Sequence, residues 1–190
     1  MHRERILKFI PQIISDVILV EPITHADYRG YFMESFRQDL FNEFLTYDVN
    51  FVQDNESQSS KGVLRGLHYQ LPPFAQSKLI RVIQGSILNV AVDIRRSSPT
   101  FGKYVGEELS SENKSQLFVP HGFAHGFVVL SDMATIAYKV DNYYSKECDR
   151  GIVFNDKDLA IDWIYPSDDI KLSNKDKMHP NLADTNDFFK

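Results

Sequence analysis

The chain has one cysteine, Cys148, so no disulfide can form within it and no metal-type cysteine spacing exists. A reducing compartment suits such a chain, and a cytoplasmic location is the expectation. A basic surplus is also lacking: 21 Lys and Arg stand against 26 Asp and Glu, a formal net charge of -5. That balance gives no drive toward nucleic acid or an anionic membrane surface, and an anionic substrate would need a local cluster of Arg and Lys. No apolar run approaches the roughly 20 residues that span a bilayer. The N-terminus starts basic, but Lys8 and Pro11 interrupt its apolar run and no small-residue cleavage site follows, so a signal peptide is not expected. Internal repeats, low-complexity tracts, long linkers and nucleophile motifs are missing as well.

What is present is enough apolar material for one core: 43% of 190 residues are hydrophobic. One domain over 1–190, with its core at about 17–177, is the expectation. β-prone runs recur at 17–20, 31–36, 51–53, 63–69, 78–83, 87–94, 104–109, 116–119, 124–130 and 135–140. Turn-forming residues such as Arg29-Gly30, Lys61-Gly62, Gly85-Ser86 and Ser131-Asp132 separate them at close intervals, as in a β-sandwich or barrel. Helix is scarce, with candidates at 38–44 and after Pro166. The run Ile87-Leu-Asn-Val-Ala-Val-Asp-Ile94 is apolar on nearly both faces, which calls for cover by a second sheet or subunit, and a homodimer follows as an expectation. The tail 181–190 is polar with two terminal phenylalanines.

Two segments carry polar groups among apolar, β-prone neighbours: Gly62-Val-Leu-Arg-Gly-Leu-His-Tyr-Gln70 and Val119-Pro-His-Gly-Phe-Ala-His-Gly-Phe127. Arg65, His68 and His125 then project from strands toward an interior, where a cation or imidazole costs free energy without a partner or a task. Strict alternation puts Arg65 and His68 on opposite faces; a bulge at Gly66 would bring them to one face. Lys78 opens the next strand, and Tyr138 lies in an apolar one. Taken singly, Lys78 reads as a solvated strand end, Tyr138 as a core aromatic, and Asp176 as part of a surface loop. Together, the residues give a pocket of His, Lys, Arg and Tyr, which fits proton transfer better than covalent catalysis.

Pro120-His-Gly-Phe-Ala-His125 resembles the second motif of the cupin superfamily, but the His-x-His of metal-binding cupins is missing: His68 is followed by Tyr69 and Gln70. With about three protein ligands needed for a catalytic ion, a metal-free site is favoured. The larger set Asp27-Tyr-Arg-Gly-Tyr-Phe-Met-Glu-Ser-Phe36, Phe51-Val-Gln-Asp-Asn55, Arg65-Gly-Leu-His-Tyr-Gln70, Gln76-Ser-Lys-Leu-Ile-Arg-Val82, Asp93-Ile-Arg95, Gly122-Phe-Ala-His-Gly-Phe127 and Asn142-Tyr-Tyr-Ser145 resembles the dTDP-4-dehydrorhamnose 3,5-epimerase family from about Val17 to Lys177. The resemblance implies a cupin-type jelly roll or antiparallel β-sandwich, a homodimer, no cofactor and no metal. It also implies a dTDP-4-keto-6-deoxy sugar as substrate, with His68 as the base at C3 and C5, Asp176 orienting it, and Tyr138 returning a proton from the opposite face. Lys78 is then the candidate for stabilising charge on O4.

Arg29, Glu34, Gln53, Asn55, Arg65, Lys78, His125 and Lys175 match nucleotide-sugar contacts of that family, in which part of the N-terminal segment reaches a site across the dimer. Departures from its pattern are His25 for a usual Phe, Glu56 for a common His, and Asp149 where a Glu often meets the nucleotide, with Glu147 close enough in sequence to substitute. The rival readings are an epimerase acting on one carbon or on another 4-keto sugar nucleotide, a metal-dependent cupin oxygenase, and a sugar-nucleotide binding protein without catalysis.

Overall fold

The computed structural model describes residues 6–185 and 189, so the basic start of the chain and most of its last five residues lie outside the described residues. The strands are β1 (Leu7–Pro11), β2 (Ile18–Pro22), β3 (His25–Asp27), β4 (Gly30–Phe32), β5 (Gln53–Ser60), β6 (Leu64–Gln70), β7 (Lys78–Gln84), β8 (Ser86–Asp93), β9 (Tyr104–Ser110), β10 (Gln116–Val119), β11 (Phe123–Val129), β12 (Met133–Val140) and β13 (Asp149–Gly151). One helix, α1 (Gln38–Leu45), and short 3-10 turns at Ser167–Asp169, Asp176–Met178 and Leu182–Asp184 complete the described elements.

Two antiparallel sheets face each other, one ordered β1-β2-β10-β7-β12-β5 and the other β13-β6-β11-β8-β9, with β3 and β4 as a separate hairpin. Apart from β1 with β2 and β8 with β9, the neighbours within the two sheets are non-consecutive strands, so this is a jelly-roll type of sandwich rather than a meander. The inner faces supply the central core, including Ile80, Val82, Ile136, Ile87, Val105, Phe123 and Phe127. The outer face of the second sheet is covered by the C-terminal segment through Ile152, Leu159, Trp163 and Leu182. The outer face of the first is covered by α1, whose Phe41 meets Phe118 edge to face at 5.0 Å between ring centres. Cover on both sides explains why β8 carries apolar residues on both faces: here the second partner is a segment of the same chain.

The central strands match their sequence readings closely, and so does α1. Two readings need correction. Residues 31–36 form a strand only as far as Phe32, because the hairpin pairs with itself alone and the chain leaves it to enter α1. Of residues 51–53 only Gln53 is extended, as the first residue of β5, a strand of Gln, Asp, Asn, Glu and Ser. No apolar alternation marks β5; it is a strand because all eight residues pair with β12, from Gln53 opposite Val140 to Ser60 opposite Met133.

The bulge at Gly66 is present. His125 pairs with His68 and Phe127 with Arg65, so Gly66 and Leu67 together oppose Gly126. Leu64 and Leu67 consequently share the outer core, while Arg65 and His68 share the inner cavity. A side chain at Gly66 would place its Cβ 2.6 Å from Gly126 Cα and 2.7 Å from the His125 carbonyl, and its φ is 125°. Gly66→Ala is therefore expected to lose about 1–3 kcal/mol of stability and to displace His68. Urea unfolding of the variant checks this, and a midpoint equal to the parent's would contradict it.

Candidate active site

The two sheets diverge around a cavity of about 480 Å³ lined by Arg65, His68, Lys78, His125, Tyr138 and Asp176, among others. A continuation of about 330 Å³ toward solvent adds Gln53, Asn55 and Asp149, with Lys175 in both parts. His68 and His125 come from β6 and β11 of one sheet; Lys78 and Tyr138 come from β7 and β12 of the other. Of the residues expected at the site, Arg29 and Glu34 alone are absent from this chain's pocket. Both lie in or just after the β3–β4 hairpin, whose residues are all exposed: Arg29 pairs with Asp27 at 2.6 Å, and Glu34 with Arg37 at 3.3 Å. Asp149, not Glu147, faces the mouth, accepting a hydrogen bond from the Tyr144 hydroxyl at 2.9 Å and pairing with Lys175. Glu147 accepts one from Ser145 instead.

The Asp176 carboxylate, its side chain 4% exposed, lies 2.6 Å from His68 Nε2. Burial alone would push the Asp176 carboxyl up. The nearby His179, the hydrogen bond with His68 and the contact with Ser173 outweigh it and hold the group below the usual carboxylate range. A carboxylate opposite Nε2 places the proton there as a donor, and His68 Nδ1 keeps the lone pair. His125 sits in a different electrostatic setting. Its Nε2 meets the amide oxygen of fully buried Asn89 at 2.8 Å, and burial, together with Lys78 and His68, pushes the ring well below its ordinary protonation range. One imidazole is thus backed by a charge and the other by a neutral amide.

Among the described residues Lys78 has no hydrogen-bond or ion-pair partner, and burial lowers its ammonium to about 8, against a smaller opposing effect of Asp149. Burial raises the Tyr138 phenol, with Arg65 opposing, so it stays protonated through neutral pH. Arg65 itself donates to Ser59 at 3.0 Å. This arrangement can remove a proton, stabilise a developing oxyanion, and supply a proton from the opposite wall. Asn89 and His179 were not singled out by sequence. Asn89 sits within an apolar strand and His179 after a loop, where no periodicity marks a functional position.

His68, Asp176 and His179 place donor atoms within 4.8 Å of one another, a grouping that could be read as a metal centre. The 2.6 Å between His68 and Asp176 is a hydrogen-bond separation. Two donors on a tetrahedral ion with bonds of about 2.0 Å stand roughly 3.3 Å apart. The pair fits a shared proton better than a shared ion.

A jelly-roll sandwich with an end pocket of ionisable side chains falls in the cupin-like class of proteins. The model of the family described as dTDP-4-dehydrorhamnose 3,5-epimerase matches residues 11–184. The chain belongs to that family. The dTDP-4-dehydrorhamnose 3,5-epimerase of Shigella flexneri is 55% identical over 176 residues, 93% of this chain and 96% of that one. The crystal structure of the enzyme of the same name from Elizabethkingia anophelis superposes with a TM-score of 0.92 at 48% identity, covering 96% of this chain and 100% of the other. A dTDP-6-deoxy-D-glucose-3,5-epimerase from Legionella pneumophila, solved with dTDP-4-keto-L-rhamnose, gives 0.91 at 47% identity over 95% of both chains.

The lowered ammonium of Lys78 gives a pH prediction. Only a protonated Lys78 can stabilise an oxyanion by its charge, and its ammonium loses its proton as pH rises through about 8. The alkaline limb of kcat/KM is expected near that pH, and Lys78→Arg should move the limb upward, because a guanidinium stays charged. An unchanged limb in Lys78→Arg would remove Lys78 from this role.

Proposed function

We propose that this chain catalyses epimerisation at C3 and C5 of dTDP-4-dehydro-6-deoxy-D-glucose, giving dTDP-4-dehydro-L-rhamnose in dTDP-L-rhamnose biosynthesis, without metal or cofactor. The observation that carries the reading is the placement of a carboxylate-backed imidazole on one sheet and, on the other, a protonated phenol together with a buried lysine. His68 takes the proton from the carbon beside the C4 ketone. The C–H electron pair becomes the C=C bond of an enolate, and the charge on O4 is stabilised by the Lys78 ammonium. Tyr138 then gives its hydroxyl proton to the same carbon from the other side while the enolate electrons form the new C–H bond. Solvent takes the proton from His68 and reprotonates Tyr138. Removal and return on opposite faces invert the centre.

In this reading Gln53, Asn55, Arg65, His125, Asp149 and Lys175 bind the sugar nucleotide. Arg65 and Lys175 supply local positive charge, which the net charge of -5 does not. The whole chain acts as a single domain, and two chains associate. The hairpin exposes Tyr28 (97%), Tyr31 (56%) and Phe32 (66%), an apolar surface suited to burial in a homodimer, where Arg29 and Glu34 would reach the other subunit's pocket. The lone cysteine supports a cytoplasmic location, and among the described residues no helix is long and apolar enough to cross a membrane.

Incubation with dTDP-4-dehydro-6-deoxy-D-glucose, with the product's ring configuration read from proton couplings, tests the activity. The parent should form the L-lyxo product and His68→Ala none, while Tyr138→Phe retains proton loss but misplaces its return. Product inverted at one carbon only would favour a single-centre epimerase; near-normal turnover by His68→Ala would remove that residue as the base. Light scattering should give the mass of two chains, and Arg29→Ala should raise KM more than it lowers kcat.

A further inference from the structure

The proposed chemistry uses His68 and Asp176 but leaves a third buried group beside them without a role. His179 follows Asp176 by one turn, at the end of Asp176–Met178, and its side chain is 10% exposed. Among the described residues its buried Nε2 makes no hydrogen bond; it pairs with Asp176 Oδ1 at 3.4 Å, the same oxygen that holds His68. A buried imidazole nitrogen without any such interaction costs about 1–3 kcal/mol, so the location calls for a reason.

The slot that holds this ring is built by a glycine. Gly151 of β13 stands opposite His68 in the β13–β6 ladder, and a Cβ there would fall 2.3 Å from His179 Nε2, 2.4 Å from Cε1 and 2.5 Å from Cδ2. Leaving out one side chain on the neighbouring strand lets the His179 ring lie edge to face against His68, with 5.5 Å between ring centres and 78° between planes. The missing Cβ makes room for the ring, and the turn that carries both residues brings its Nε2 to the Asp176 oxygen.

We propose that His179 is a positioning residue: its Nε2–H shares the charge of Asp176 Oδ1 with His68 and so limits how strongly that carboxylate holds a proton on His68. The proposal rests on the reading of His68 as the base. A base beside a buried carboxylate faces conflicting demands, since the carboxylate must orient the imidazole yet must not keep it protonated before the substrate arrives. A second donor on the same oxygen eases that conflict, and the low protonation range of the Asp176 carboxyl agrees with two imidazole donors converging on it. The other groups facing the pair are Arg65 on β6, Lys78 and Tyr138 on the opposite sheet, His125 on β11, and Lys175 with Asp149 at the mouth.

The test compares His179→Leu, His179→Gln and Gly151→Ala with the parent, using the kcat/KM pH profile on the sugar nucleotide and NMR titration of the His68 ring in substrate-free protein. With the donor removed in His179→Leu, or the ring expelled in Gly151→Ala, the acid limb and the His68 titration should both move up by about half to one pH unit. That is roughly a 3- to 10-fold loss of kcat/KM on the acid side, with KM little changed. His179→Gln, which restores an N–H donor, should stay close to the parent. Unshifted titrations in His179→Leu, or equal shifts in Leu and Gln, would overturn the proposal, the second result meaning that the ring acts by packing alone. If His179→Leu does not fold, Gly151→Ala and His179→Gln make the same comparison. If the parent fails to turn over this substrate, the functional reading fails while the NMR titration still decides the role of His179.

Discussion

The backbone of Gly66 lies against the backbone of Gly126, closer than any side chain would allow, and the composition of the pocket depends on that contact. With β6 and β11 so close, the two-for-one bulge fits between them and the strand resumes in reversed phase. Leu64 and Leu67 then both pack outward under the C-terminal segment, while Arg65 and His68 both point inward. Without the bulge, one of the two polar side chains would have to enter an apolar layer containing Leu88, Val90 and Trp163. The same ladder places His125 directly opposite His68, so a single register fixes both imidazoles.

Those two imidazoles differ in what backs them, and their chemistry differs accordingly. Asp176 gives His68 a charged acceptor at 2.6 Å; Asn89 gives His125 an acceptor of no net charge. Burial and the nearby Lys78 ammonium add to the cost of charging His125. A neutral, oriented His125 suits hydrogen bonding to a sugar hydroxyl, whereas His68 suits proton removal. Lys78, partnered among the described residues with neither a carboxylate nor a hydroxyl, remains available for an oxyanion that exists only once the proton has left, which is where stabilisation speeds a reaction.

Much of the sandwich could be read from the sequence because its strands alternate or run apolar between turn residues, as β6 to β12 do. The Gly66 bulge was legible too: Arg65 and His68 are an odd number of residues apart, both seek the interior, and the glycine between them is where a strand can take up the extra residue. β5 was not, because its eight polar residues owe their extended form to β12 and carry no pattern of their own. Asp176 shows the limit most clearly. From composition it belongs to a surface loop, yet a chain separation of 108 residues from His68 closes to 2.6 Å, and only family resemblance pointed to it. His179 and Asn89 had no such pointer, because their significance lies in contacts made by segments distant in the chain.

The measurement that tests the central claim most directly is proton NMR of dTDP-4-keto-6-deoxyglucose in heavy water with the purified protein, following deuterium at C3 and C5. A base and an acid on opposite walls of one pocket predict deuterium at both carbons together with inversion. Binding of the nucleotide sugar with no deuterium at either carbon would contradict the account.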